Sequence, residues 1–263
     1  MIPQRYILEW KKHVPWSNDA QVEQDLVISR ALIELFKSPL LKENLAFRGG
    51  TAIHKLFIQP QVRYSEDIDL VQVTSSPIKP ILVEIKRCLS FLGTKRTVKQ
   101  NIHNNTILYR FESEIQPIIN LRLKIEINTR EHFTVLGLQQ HFFEIDNTWF
   151  PHDCLITTYQ LEELLGTKLR ALYQRRKGRD LFDLYWAIKT KDIDSQKVID
   201  CYKEYMSFSV KTQPTKKQVL TNLEEKLSDN EFLTDMHAII RPGIEYSIEE
   251  AWEVVRDTLV RKI

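Results

Sequence analysis

Apolar residues recur at helical spacing through Val22, Leu26, Ala31, Leu32, Ile33, Leu35 and Phe36, which predicts an amphipathic helix. Ser17, Asn18 or Asp19 can cap it, and Pro39 lies just past its end. Residues 1–16 read as an irregular or short helical lead punctuated by Pro3 and Pro15. Leu45, Ala46 and Phe47 then predict a short buried strand. Gly49 and Gly50 break it, and Ala52, Ile53, Leu56 and Phe57 resume a helical pattern. Residues 66–73, EDIDLVQV, alternate: Asp67, Asp69 and Val71 share one face, Ile68 and Leu70 the other. Ile81, Leu82, Ile85, Leu89 and Leu92 predict a further helix, ended by Gly93. Residues 95–112 predict two strands turning at Asn104-Asn105, and residues 118–128 a long strand. Residues 133–153 are weakly patterned and are expected to add short strands to the same sheet.

A boundary is expected near residues 151–157, beyond which the pattern is wholly helical. Thr157 and Gln160 have the spacing of a capping box. Leu161, Leu165, Leu169 and Leu172 form one stripe, and Leu181, Leu184, Tyr185 and Ile188 the next. Further helices are predicted around Val198 to Met206, around Val219 to Leu227, and over residues 248–260. The predicted fold is α/β plus α: a mixed sheet with flanking helices over residues 1–153, then a helical domain over residues 154–263.

Composition narrows the function only by exclusion. The 263 residues are 43% hydrophobic and 27% charged, ordinary for a globular chain, with a net charge of +2. Nucleic-acid contact would therefore depend on local patches. Cys88, Cys154 and Cys201 are widely spaced, with no Cys-x-x-Cys, which argues against a disulfide framework or a zinc site and fits the cytoplasm. No signal-peptide run opens the chain, and no stretch approaches 18 apolar residues, so no membrane span is expected. The seven histidines show no metal spacing, and neither a Gly-x-Ser-x-Gly nor a Walker motif is present.

The chemistry concentrates in AFRGGTAIHKLFIQPQVRYSEDIDLV, residues 46–71. A strand, a glycine turn and a helix start come in succession there, and helix N-termini favour phosphate. Asp67 and Asp69 follow on one strand face. At roughly 4 Å and an effective dielectric of about 20, their repulsion is about 4 kcal/mol, so a dication, a shared proton or solvent must offset it. Oxygen-only ligands beside a phosphate cradle suit Mg²⁺ or Mn²⁺. Asp-Ile-Asp alone reads as well as an exposed acidic strand end; the glycine turn upstream favours the nucleotide site. Lys168 lies on the apolar stripe of its helix, so either its stem packs and its head snorkels, or the ammonium is aimed into a cleft. Arg170, Arg175, Arg176, Lys177 and Arg179 surround Gly178, as a solvated turn or as a phosphate-contacting patch.

FRGGTAIHKL followed by RYSEDIDL resembles the Gly-Gly/Ser then Asp-x-Asp signature of the nucleotidyltransferase superfamily. With LEELLGTKLRALYQRRKGRDLFDLY, it resembles the AbiEii/AbiGii family of nucleotidyltransferase-fold toxins of toxin–antitoxin and phage-defence pairs. The resemblance spans about residues 20–190. It implies transfer of a nucleoside monophosphate from an NTP to an acceptor hydroxyl at the 3′ end of tRNA or on another RNA, in a cleft that the helical domain completes, with a cognate antitoxin as partner. It implies Asp67 and Asp69 as metal ligands and Glu126, on the polar face of LRLKIEIN, as a third carboxylate. Lys168 would bind the triphosphate. Arg48, Gly49, Gly50, Thr51 and Arg176 fall to nucleotide binding, Asp180 to the catalytic set, and Ser65, Lys124 and Asp183 to its support. Relatives often carry Asp where Glu126 stands. A transferase acting on a small molecule or protein, and a non-catalytic nucleotide- or partner-binding module, stay as alternatives.

Overall fold

A computed structural model describes residues 2–263 of the chain. It divides into two compact units, Met1–Phe133 with Leu138–Tyr159, and Thr134–Gly137 with Gln160–Ile263.

The first unit runs α1 (Gln4–Trp10), α2 (Asp19–Phe36), α3 (Pro39–Asn44), β1 (Leu45–Arg48) and α4 (Gly49–Ala52), which passes directly into a π-helical turn, Ile53–Phe57. Next come β2 (Asp67–Gln72), α5 (Lys79–Cys88), β3 (Arg96–Gln100), β4 (Asn104–Glu112), β5 (Asn120–Asn128), β6 (Leu138–Ile145) and β7 (His152–Tyr159). The strands form one mixed seven-stranded sheet in the order β3-β4-β5-β2-β1-β7-β6. β2 runs parallel to β5 and antiparallel to β1, which pairs in parallel with β7. Period-2 alternation sets one face of the sheet inward: Ile68, Leu70, Ile107, Tyr109, Leu123, Ile125 and Ile127 are buried. Asn18 caps α2 by accepting from the Ala20 amide at 2.9 Å, and α2 packs on β5, β6 and β7.

A buried acid in α2 fixes the segment after the glycine turn. Asp25 accepts from Trp10 Nε1 at 3.0 Å, Trp16 Nε1 at 3.3 Å and Lys55 Nζ at 3.0 Å, and Lys55 also donates to Ser29 Oγ at 3.0 Å. Lys55 and Asp25 are both almost wholly buried, and such a pair holds two elements in one register.

The second unit consists of α6 (Leu161–Gln174), α7 (Gly178–Thr190), α8 (Ser195–Ser209), α9 (Lys216–Lys226), α10 (Asn230–Thr234) and α11 (Ile248–Thr258). α6 and α8 approach closely at Gly166, where a Cβ would lie 2.6 Å from Cys201 Cβ. Glu163 is fully buried and accepts from Thr134 Oγ1, the Val135 and Leu136 amides and Tyr205 Oη, all at 2.8–2.9 Å. These bonds tie residues 134–137 to α6. Among the described residues, no helix is long and apolar enough to cross a membrane.

Three local expectations are corrected. Residues 154–159 belong to β7 and its sheet, so the division falls after Tyr159 and not after residue 153. Thr157 sits in that strand, and Gln160 caps α6 without a side-chain bond; the same Thr-x-x-Gln spacing does form a capping box at Thr215 and Gln218, ahead of α9. Asn104 and Asn105 open β4, and the β3–β4 turn instead closes on Asn101, whose Oδ1 accepts from the His103 and Asn104 amides.

Candidate active site

The glycine turn and the two aspartates meet because β1 and β2 are antiparallel neighbours. Arg48 stands opposite Asp69, which brings Gly49 beside the Asp69 side chain. Gly49 has φ +80°, and a Cβ there would lie 2.2 Å from Asp69 Oδ2. Only glycine permits both the backbone and the contact. Thr51 Oγ1 donates to the Asp67 carbonyl at 2.6 Å and lies 2.6 Å from Ser65 Oγ. The hydroxyls of Thr51 and Ser65 thus pin the start of α4 to the start of β2. Gly50 follows within α4, its position buried.

Gly49→Ala is expected to cost about 1–2 kcal/mol through its left-handed backbone and to push the Asp69 carboxylate aside. A displacement near 1 Å can lower a rate by about 100-fold. Transfer assays and melting curves on the purified variant check this. Transfer within twofold of the parent would show that the Asp69 position is not critical.

The parallel register of β2 and β5 sets Asp67 beside Lys124 and Asp69 beside Glu126, all on the face left polar by the alternation. Lys124 Nζ lies 3.0 Å from Glu126 Oε2 and 3.9 Å from Asp67 Oδ2. These side chains are only partly covered, with 41% of Asp67, 34% of Lys124 and 32% of Glu126 exposed, so solvent and substrate can reach them. Partial burial, with Glu126 and Glu66 close by, raises the Asp67 pKa above its ordinary value against the pull of Lys124 and Arg122. Burial opposes the Lys124 charge, but the hydrogen bond to Glu126 and the nearby Asp67 and Asp69 outweigh it and raise its pKa. The site is therefore a cluster of three carboxylates in which Lys124 meets Asp67 and Glu126, with Arg48 and Arg122 acting on Asp69 and Asp67 from further off.

Arg48 turns its guanidinium onto Glu131, which is held in turn by Asn128 at the end of β5. Burial works against the Arg48 charge, and Glu131, with Tyr159 and Asp69 adding to it, outweighs burial and raises its pKa. Sequence reading missed Glu131 and also the Lys55–Asp25 pair. The available signal for the pair was an acid on the core-facing stripe of α2, which demands a buried partner.

In the second unit Lys168 Nζ lies 3.0 Å from Asp180 Oδ1 and 2.9 Å from Asp183 Oδ2. Both aspartates are fully buried, and Lys168 is 7% exposed. Arg175 adds two bonds to Asp180, at 2.6 and 2.7 Å. Burial alone would raise the Asp180 pKa; Lys168 and Arg175 reverse this and lower it. Lys168 is neither snorkelling nor unpaired but a buried counter-ion. The basic turn is neutralised as well. Arg176 meets Asp229 at 2.9 Å, Lys177 meets Glu231, and Arg179 meets Asp235 at 3.1 Å.

Among the described residues, no three His, Cys, Asp or Glu side chains gather closely enough to hold a metal ion by themselves. Asp67 and Asp69 nevertheless fit a hard dication: they offer oxygen donors only, on an accessible face, beside a third carboxylate, Glu126. Mg²⁺ commonly takes one or two carboxylates and completes its shell with water and substrate phosphate.

Solved structures show the same fold. The chain is 14% identical to MenT4, a nucleotidyltransferase toxin of Mycobacterium tuberculosis H37Rv, with a TM-score of 0.64, covering 98% of this chain and 88% of that one. It is 18% identical to JHP933 of Helicobacter pylori, with a TM-score of 0.57 and 93% of each chain covered. No curated protein sequence matches. The family model described as nucleotidyl transferase AbiEii toxin, type IV toxin–antitoxin system, matches residues 30–257, which take in the glycine turn, all three sheet carboxylates and the Lys168 cluster. The chain belongs to this AbiEii family of nucleotidyltransferase toxins.

Proposed function

We propose that the protein transfers a nucleoside monophosphate from an NTP to the terminal hydroxyl of an RNA, with the 3′ end of tRNA as acceptor, and so arrests growth unless a cognate antitoxin intervenes. The observation that carries this reading is the register of Asp67, Asp69 and Glu126 on one accessible sheet face beside Gly49. In the reaction the acceptor oxygen bonds to the α-phosphorus and the bond from that phosphorus to the β-bridging oxygen breaks. Pyrophosphate leaves, and Glu126 takes the acceptor proton. Asp67 and Asp69 would hold Mg²⁺ or Mn²⁺, which when bound would neutralise charge on the reacting oxygens. The amides at the Gly49–Gly50 turn, where β1 ends and α4 begins, would receive the leaving phosphates. Lys168, which the family resemblance assigns to the triphosphate, is paired with Asp180 and Asp183. These substrates place the activity in the cytoplasm.

Induced expression in a bacterial host tests the reading. Growth should slow, and tRNA from the arrested cells should carry one or a few added 3′ nucleotides. Arrest with unmodified tRNA would contradict the acceptor. Arrest that survives both Asp67→Ala and Asp69→Ala would contradict toxicity by catalysis.

A further inference from the structure

The cations that stand out in the sequence, at 175–179, are each paired with a carboxylate in the fold. Other cations are not. Lys99 on β3, Arg110 on β4 and Arg122 on β5 are exposed, and among the described residues none of the three meets a carboxylate at salt-bridge distance. With Lys124 and Asp67 they line a cavity of about 340 Å³ on the polar face of the sheet.

The register explains why they gather. Arg110 pairs with Arg122, Leu108 with Lys124, and Thr106 with both Glu126 and Lys99. The exposed positions of three adjacent strands thus form one surface that runs from the carboxylates outward to β3. Two cations directly opposite, as Arg110 and Arg122 are, destabilise a strand pair. Asp67, which Lys124 already meets, is among the described residues the one acid lining this cavity and offsets the cost only in part, which points to an anion supplied from outside.

The side on which the surface lies identifies the anion. The sheet order puts the Gly49 turn beyond β2 on the β1 side, and the cations beyond β2 on the β5 side. An in-line displacement sets the leaving and attacking oxygens on opposite sides of the phosphorus. With the leaving phosphates at the glycine turn, the attacking hydroxyl enters over β5 and β4. The cations also span three strands, about 10 Å across at the usual strand spacing, so they continue away from the carboxylates along the path an acceptor strand would take.

We propose that Lys99, Arg110 and Arg122 bind the phosphodiester backbone of the acceptor RNA and lead its terminal hydroxyl to Asp67, Asp69 and Glu126. The half-buried Leu108 between them offers an apolar contact for a ribose or base. These contacts carry no base code, so the surface positions the strand without choosing its sequence.

The inference rests on the transfer reading above, and the test separates the two. Binding of 5′-fluorescein-labelled total tRNA to the full chain is followed by anisotropy over a salt series. The combined variant Lys99→Ala, Arg110→Ala, Arg122→Ala should bind at least 10-fold more weakly. Its log–log salt slope should be shallower by about 2, since three phosphate contacts on a single strand contribute about 0.7 each. NTP affinity should stay at the parental value, and melting temperature should stay there or rise slightly, because the three side chains are exposed and the Arg110–Arg122 repulsion is removed. Unchanged tRNA affinity and slope would overturn the inference, as would an NTP affinity that falls in parallel. If tRNA binding depends on the three cations but no nucleotide is ever transferred, the surface stands and the transfer reading falls.

Discussion

Asp69→Ala is expected to lower nucleotidyl transfer by at least about 1,000-fold while the protein melts close to the parent temperature. The side chain stands on a strand face that carries three carboxylates, of which Asp67 and Glu126 meet Lys124. Removing one acid relieves repulsion there, so the fold loses little. Activity loses one of the two carboxylates that would hold the dication, and about 4 kcal/mol of transition-state stabilisation corresponds to about a 1,000-fold rate. Asp67→Ala should behave alike. Asn at either position keeps the shape without the charge and should give a loss of similar size. A large fall in melting temperature would mark Asp69 as structural, and transfer within 10-fold of the parent would remove it from the catalytic set.

Lys168→Met should have the largest effect on stability. Methionine matches the lysine stem, so packing alone would predict a mild change. The ammonium, however, is the counter-ion of two fully buried carboxylates, and Met leaves Asp183 without it and Asp180 with only Arg175 and the field of Lys226. Breaking a buried pair by removing one partner costs about 3–5 kcal/mol. The pH dependence has a definite sign. With Lys168 present, the folded-state pKa of Asp180 is lowered, so its contribution is present above the unfolded value and is lost as pH falls through the folded one. In the variant the ammonium no longer offsets the burial that disfavours the Asp180 carboxylate, so its pKa rises from the parent's lowered value. Relative to the parent, stability is then kept at low pH and lost as pH rises. The gap in melting temperature between parent and variant should therefore narrow from pH 8 to pH 5. Adding Asp183→Asn to Lys168→Met should recover part of the loss. A variant that melts like the parent at every pH would show that the ion cluster does not stabilise the unit.

The sheet carboxylates were legible because strand alternation is local: Asp67 and Asp69, and Lys124 with Glu126, sort to one face by counting in twos. Their adjacency depends on β2 running parallel to β5, and strand order is not written in either segment. The glycine turn was legible for a similar reason, since strand, glycines and helix follow without interruption. Charge pairing was not. The acids that neutralise Arg176, Lys177 and Arg179 lie 53 to 56 residues further along the chain, so a run that looks cationic in one dimension is neutral in three. The reverse holds on the sheet. Lys99, Arg110 and Arg122 look unremarkable at separate places in the sequence and become one patch only through strand register. Thr-x-x-Gln shows the same limit at short range. It forms a cap before α9, but at residue 157 the backbone is claimed by β7, whose strand pairing outweighs a single side-chain bond.

The central claim is transfer of a nucleotide to RNA at the Asp67–Asp69 face. The most direct measurement incubates the purified chain with Mg²⁺, total tRNA and each of the four α-labelled NTPs in turn, then resolves the RNA by size, with Asp69→Asn as the paired control. The account predicts label in tRNA-sized RNA from at least one NTP, dependence on the dication, and its disappearance in Asp69→Asn. Label absent from RNA with all four NTPs, or incorporation that persists in the variant, would contradict it.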